Sequence, residues 1–180
     1  QKTADKDIIF VSDDGSGGET TYMYLDGSYV GTRFPQNVQL DDNVELRLGT
    51  NQDLRLEHTG SNGTITNYTG NLTISNTTDD GDIIFQSDDG SGGVETYFFL
   101  DGSASAGNPI TSFPDNSILS FGTGGDMRLT HNATDSTIFN YTGSLRLRQE
   151  ANDGDILFQS DDGAGGVATY FSLDGSAATH

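Results

Sequence analysis

Apolar residues along this chain fall on alternate positions. Val44-Glu45-Leu46-Arg47-Leu48, Leu54-Arg55-Leu56, Leu72-Thr73-Ile74, Met127-Arg128-Leu129 and Leu145-Arg146-Leu147 each set aliphatic side chains on one side and charged or hydroxyl side chains on the other. A period of two predicts strands with one buried and one wet face. Ile83-Ile84-Phe85 and Tyr97-Phe98-Phe99-Leu100 are short unbroken apolar runs, which predict strands covered on both sides. No segment keeps a helical spacing, and glycine- or asparagine-rich punctuation arrives about every 8–12 residues, the spacing of an all-β architecture.

The pattern recurs. DIIFVSDDGSGG opens at Asp7, DIIFQSDDGSGG at Asp82 and DILFQSDDGAGG at Asp155, so the register shifts by 75 and then 73 residues. Each copy runs on through Thr-Tyr to Leu-Asp-Gly-Ser, ending at Ser28, Ser103 and Ser176. Between the copies a second block repeats with an offset of 73: Asp42-Asn43 with Asp115-Asn116, Gly49-Thr50 with Gly122-Thr123, Arg55–His58 with Arg128–His131, and Asn67–Gly70 with Asn140–Gly143. A fixed long period marks an array of one structural unit. The divisions it predicts are a partial repeat over 1–33 (a hairpin half-unit), then full units over 34–103 and 104–180. The chain begins just ahead of one unit and stops just after another, so it is expected to be a length of a longer array. Within the unit, Asp-Asp-Gly-Ser-Gly-Gly lies between two apolar runs and predicts a hairpin turn. There the Asp side chains bond backbone amides and the glycines take positive φ. Length varies between Ser28 and Phe34 and between Ser103 and Phe113, which predicts a surface loop or linker there.

Composition changes the picture in one respect. Only 32% of the 180 residues are hydrophobic, none is Trp and 24 are Gly, which is thin material for a solitary core. Ordered apolar positions and only three prolines argue against disorder. With no cysteine, neither disulfides nor thiolate metal sites hold the fold. A fully buried Leu or Ile contributes about 1.5–3 kcal/mol, while ordering each residue costs on the order of 1–2 kcal/mol. Strands this short therefore fall short alone, and their open edges invite pairing. Several identical chains wound around one axis remove both problems. The expected fold is an all-β, fibrous tandem β-repeat, intertwined between copies of itself as a β-rod; a single-chain β-solenoid is the alternative.

Charge narrows the partners. A net charge of −19 repels nucleic-acid phosphates and anionic membranes. No apolar stretch reaches the 18 residues of a membrane-spanning helix.

Candidate chemistry is sparse. The Asp-Asp-Gly loops offer hard oxygens to Ca²⁺ through Asp13, Asp14, Asp88, Asp89, Asp161 and Asp162. They lack the distal Glu of a full calcium loop, and a plain hairpin turn explains the same residues. His58 and His131 hold equivalent repeat positions, and in a symmetric assembly such rings would meet near the axis as ligands for a metal or an anion. A polar packing role is the simpler account. The acidic residues sit in repeated turns rather than as one pair set apart for glycoside cleavage. No serine stands in a Gly-x-Ser-x-Gly elbow. No cofactor and no enzymatic activity are expected within this segment. The six Asn-x-Ser/Thr sequons, at Asn62, Asn67, Asn71, Asn76, Asn132 and Asn140, are ordinary in an Asn- and Thr-rich chain. Arg47, Arg55, Arg128, Arg146 and Arg148 alternate with apolar residues and are expected on an outer strand face, paired with loop carboxylates.

The blocks DIIFQSDDGSGGVETYFFLDGS, FPDNSILSFGTGGDMRLTHN and NYTGSLRLRQEANDGDILFQSDDG, taken in order, resemble the tandem repeats of marine bacteriophage tail-fibre proteins such as those of cyanophages and pelagiphages. The likeness runs from Asp7 to Ser176; at Leu48–Gln52 the first copy departs, with Leu-Gly-Thr-Asn-Gln where Phe121–Gly125 reads Phe-Gly-Thr-Gly-Gly. The resemblance implies a homotrimer, a shaft role, and a place on the virion. The partners it implies are the rest of a tail or fibre assembly and, through a tip outside this segment, a host cell-surface glycan or protein. The alternatives are a bacterial or archaeal extracellular filament or adhesin, located at the cell surface, and a calcium-stabilised carbohydrate-binding β-solenoid.

Overall fold

The computed structural model describes residues 3–104 and 107–177. Among them every regular element is a strand and none is a helix. The strands lie in two units, residues 1–74 and 75–180. The first holds two three-stranded antiparallel sheets, β1 (Ile8–Asp13), β2 (Glu19–Asp26) and β3 (Gly31–Arg33), then β4 (Leu46–Leu48), β5 (Leu54–His58) and β6 (Gly63–Asn67). The second holds β7 (Ile83–Asp88), β8 (Val94–Asp101) and β9 (Ile110–Ser112), then β10 (Ile118–Phe121), β11 (Met127–His131) and β12 (Ser136–Asn140). A two-stranded hairpin, β13 (Ile156–Asp161) with β14 (Val167–Leu173), completes it. Each sheet is a simple meander in chain order, the topology that short turns between consecutive strands dictate.

The three long hairpins share one register. Ile83 opposes Leu100 and Phe85 opposes Phe98, while Ile8 with Leu25 and Ile156 with Leu173 repeat the first of these pairs. The Phe85 and Phe98 rings stack at 4.5 Å, and Phe158 stacks on Phe171 at 4.1 Å. In every copy the ladder slips at one place. Phe10 pairs with Met23 but Val11 pairs with Thr21, so Tyr22 is an extra residue on its strand; Tyr97 and Tyr170 are the extra residues in the other two copies. This is a β-bulge, which twists a hairpin and re-aims the side chain it carries. The hydroxyls of Tyr22, Tyr97 and Tyr170 donate to the carbonyls of Asp13, Asp88 and Asp161 at 2.9, 2.8 and 2.9 Å. The Tyr of each Thr-Tyr pair thus fastens the hairpin's far end.

The open end is fastened by an aspartate. Asp7, Asp82 and Asp155 each accept the backbone N–H of Gly27, Gly102 and Gly175 at 2.9 Å. These glycines are required by close approach. A Cβ on Gly102 would stand 2.5 Å from the Gly81 carbonyl oxygen, and Gly27 and Gly175 meet Lys6 and Gly154 in the same way.

The smaller sheets separate their faces as the alternation predicts. Leu46, Leu56 and Ile65 lie side by side on one face, with Leu48 beside Leu54; Arg47, Arg55 and Thr66 share the other. In the second unit Leu119, Leu129 and Ile138 correspond to the first set, and Ser120, Arg128 and Phe139 to the second.

Three expectations are corrected. Leu72-Thr73-Ile74 and Leu145-Arg146-Leu147 alternate like strands but pair with no described residue and form none; a strand exists only where a neighbour supplies the ladder. The variable junction after each Leu-Asp-Gly-Ser is not loop throughout, because β3 and β9 return there against β2 and β8. The unbroken apolar runs are not covered on both sides: Ile84 is 55% exposed and Phe85 39%, while Ile83, Phe98 and Phe99 are half-buried. No described residue is fully buried, and the most covered are half-buried. Each sheet is made by its own hydrogen bonds and turns, without a core.

The glycine clamp yields a test of this local logic. Gly102→Ala is expected to lower stability by about 1–3 kcal/mol, the usual cost of overpacking. Gly93→Ala meets no atom within 4 Å and is expected to change it by less than about 0.5 kcal/mol. Urea unfolding midpoints of the two variants against the parent measure the difference, and equal midpoints would refute the clamp.

Candidate functional site

The residues with most chemical potential are the loop aspartates, and local geometry engages them. In the first hairpin tip Asp13 accepts the N–H of Gly15 at 2.7 Å, and Asp14 accepts those of Ser16 and Gly18 at 2.8 and 3.0 Å. Gly15 and Gly17 take φ of 81° and 92°, a conformation that glycine alone adopts without strain. Asp88 and Asp161 accept Gly90 and Gly163 in the same way, and Asp89 and Asp162 accept Ser91 and Ala164. The third copy has Ala164 where the others have serine, so it lacks the hydroxyl that donates to Asp14 and Asp89. Its backbone bonds persist, and the turn does not depend on that hydroxyl. Each candidate calcium ligand is therefore also the acceptor that shapes its own loop. Among the described residues no three or more Asp, Glu, His or Cys side chains gather as a metal would require.

The second turn of each hairpin uses the same device. Asp26, Asp101 and Asp174 each accept the amide and the hydroxyl of the serine two residues on. Their carboxyls are held below the ordinary range, by the Ser28 hydroxyl at Asp26, the Ser103 amide at Asp101 and the Ser176 hydroxyl at Asp174. At the tips the amides of Ser16 and Ala164 lower Asp14 and Asp162, and the Ser91 hydroxyl lowers Asp89.

His58 and His131 end equivalent strands, but their partners differ. His58 Nδ1 lies 2.9 Å from Asp42 Oδ1, whereas His131 Nδ1 lies 3.1 Å from Ser136 Oγ and its Nε2 3.8 Å from Asp115. Both rings are exposed and within the chain they act as polar ends of strands.

Arg47, Arg55 and Arg128 sit on the polar sheet face as expected, whereas Arg146 and Arg148 lie in no strand; the carboxylates met by Arg47, Arg55 and Arg148, those of Glu45 and Glu150, lie outside the strands. Arg47 and Arg55 oppose one another across β4 and β5, and Glu45 bridges them at 2.5 and 3.2 Å. Desolvation pulls the Glu45 carboxyl upward, and the two guanidiniums outweigh it and hold the group below its ordinary range. Arg55 also lies over the Tyr68 ring at 4.7 Å, as Arg128 lies over Tyr141 at 5.4 Å. Arg148 pairs with Glu150 beyond any strand. Sequence reasoning missed these Arg–Tyr contacts, whose only trace is the equal 13-residue spacing from Arg55 to Tyr68 and Arg128 to Tyr141.

One concave surface stands out in the second unit. An open groove of about 490 Å³ runs over the apolar face of β10–β12, walled by Phe113, Pro114, Leu119, Leu129 and Ile138, with His131 at its edge. Its walls also include Ser117, Thr130, Ser136 and Thr137.

No family model, no curated protein and no solved structure matches the chain. Among the described residues no helix is long and apolar enough to cross a membrane, which says nothing of a β-barrel.

The turn carboxylates make stability acid-sensitive. A carboxyl whose folded pKa lies below its unfolded value of 3.8 stabilises the fold above that pH, and the contribution is lost as pH falls through the folded pKa. Removing all three tip acceptors, Asp14→Ala, Asp89→Ala and Asp162→Ala together, is expected to lower the melting temperature at pH 7. The gap to the parent should close as pH falls from above 3.8 through the lowered folded values. Comparing the two chains at each pH largely cancels the general repulsion of an acidic protein. A gap that stayed constant down to pH 2 would remove the carboxylates from the account.

Proposed function

We propose that this chain is a structural segment of a fibre: the shaft of a phage tail fibre, built of copies of itself as a trimeric β-rod. It spaces a host-receptor-binding tip from the virion and carries out no chemistry of its own. The observation that carries the proposal is the repetition of uncovered apolar faces. Every unit presents exposed Leu, Ile and Phe side chains on its sheets, and no described residue is fully buried. Large exposed apolar patches mark interaction sites. A single recognition site would need one such patch, whereas a shaft needs one in every unit.

Charge placement supports the same reading. The acidic residues of the hairpins concentrate in the turns, while the faces formed by Leu46, Leu56 and Ile65 and by Leu119, Leu129 and Ile138 carry none. Copies can therefore meet face to face with their charges turned outward, where salt screens them. The block order shared with marine phage tail-fibre repeats supplies the number three and the virion setting.

Light scattering coupled to size exclusion tests the assembly. The expected mass is three times the 19.2 kDa of one chain. A folded species of single-chain mass at micromolar concentration would overturn it.

A further inference from the structure

The two alternating segments without strand partners are the most informative exception in the fold. Asn67 donates to the carbonyls of Thr69 and Gly70 at 2.8 and 3.1 Å, and Asn140 donates to those of Thr142 and Gly143 at 2.9 and 3.1 Å. The same turn therefore launches the chain into residues 71–74 and into residues 144–147. Among the described residues no hydrogen bond reaches the backbone of either segment. Leu72, Ile74, Leu145 and Leu147 are 50%, 61%, 48% and 62% exposed. A period of two, free amides and carbonyls, and exposed aliphatic side chains are what a strand shows before its neighbour arrives.

We infer that residues 71–74 and 144–147 are the intermolecular strands of this protein. Each adds to an open sheet edge of a second copy of the chain and lays its two aliphatic side chains against that copy's apolar face. This rests on the self-association proposed above and says where it happens. Periodicity identifies the occupant. The unpaired segments recur 73 residues apart, so whatever covers them must present matching edges at the same interval along the chain. A second copy does so by construction, and a partner with one unique surface would satisfy one segment only. Charge agrees in the second segment, where Arg146 brings one of the chain's eight basic residues to a chain of net charge −19. Edges to receive the strands are available, since β4, β6, β10 and β12 each pair on one side only.

Hydrogen–deuterium exchange on the assembled, unmodified chain tests the inference directly. The amides of residues 72–74 and 145–147 are expected to exchange as slowly as those of β5 and β11. If the protein has the mass of several chains while these amides exchange as fast as the hairpin tips at Gly15–Gly18, self-association stands and this assignment falls. If the chain remains single, both fall. A paired variant, Ile74→Asp with Leu147→Asp, is expected to weaken association by about tenfold or more for each lost aliphatic contact. Ser91→Asp in a tip is expected to leave association within about twofold, and equal effects of the two variants would also overturn the assignment.

Discussion

Burial of apolar area is the constraint on which everything else in this molecule depends. A β-sheet has two faces, and a three-stranded meander of strands this short can shield neither with its own side chains. Here each sheet segregates its residues correctly, with Leu opposite Leu and Phe opposite Phe, yet the resulting faces stay open within the chain. Hydrophobic stabilisation is proportional to area removed from water. Until something covers these faces, most of that stabilisation is unrealised. The proposed assembly supplies the cover from the same sequence.

The polar residues do a different job. Asp7, Asp82 and Asp155 clamp the open ends of the hairpins, the Asp-Asp-Gly tips close the far ends, and the bulged tyrosines tie each tip carbonyl to the opposite strand. All of these contacts are local, spanning at most about 20 residues of chain. They specify the shape of each ribbon without needing a core, which is what a repeating unit requires if it is to be the same wherever it occurs in an array. Solvent-exposed hydrogen bonds and ion pairs of this sort contribute little net stability. Shape is thus set within the chain, and in the proposed assembly stability comes from the contacts between chains.

That division explains what was legible in the sequence. The hairpins, their turns and the two-faced sheets follow from alternation and from Asp and Gly at fixed places, because local hydrogen bonds decide them. The bulge at Tyr22, Tyr97 and Tyr170 was not legible, since nothing in Thr-Tyr distinguishes an extra residue from a paired one. Strands β3 and β9 escaped because three residues are too few to show a period, and their partner is set by the turn before them. The opposite error arose at Leu72-Thr73-Ile74 and Leu145-Arg146-Leu147, where the period is present and the neighbour is not. The candidate ligands were visible as residue types, but the amide donors already satisfying Asp13, Asp14 and their counterparts appear only in three dimensions. The same holds for the unequal surroundings of His58 and His131.

The most direct measurement of whether stability originates between chains is its dependence on concentration. If folding and association are one process, mass action couples them. The urea midpoint should then rise steadily as protein concentration is raised over about two orders of magnitude, and dilution alone should unfold the chain. A midpoint that does not move across that range, for a protein still rich in β-structure at the lowest concentration, would contradict the account at its base.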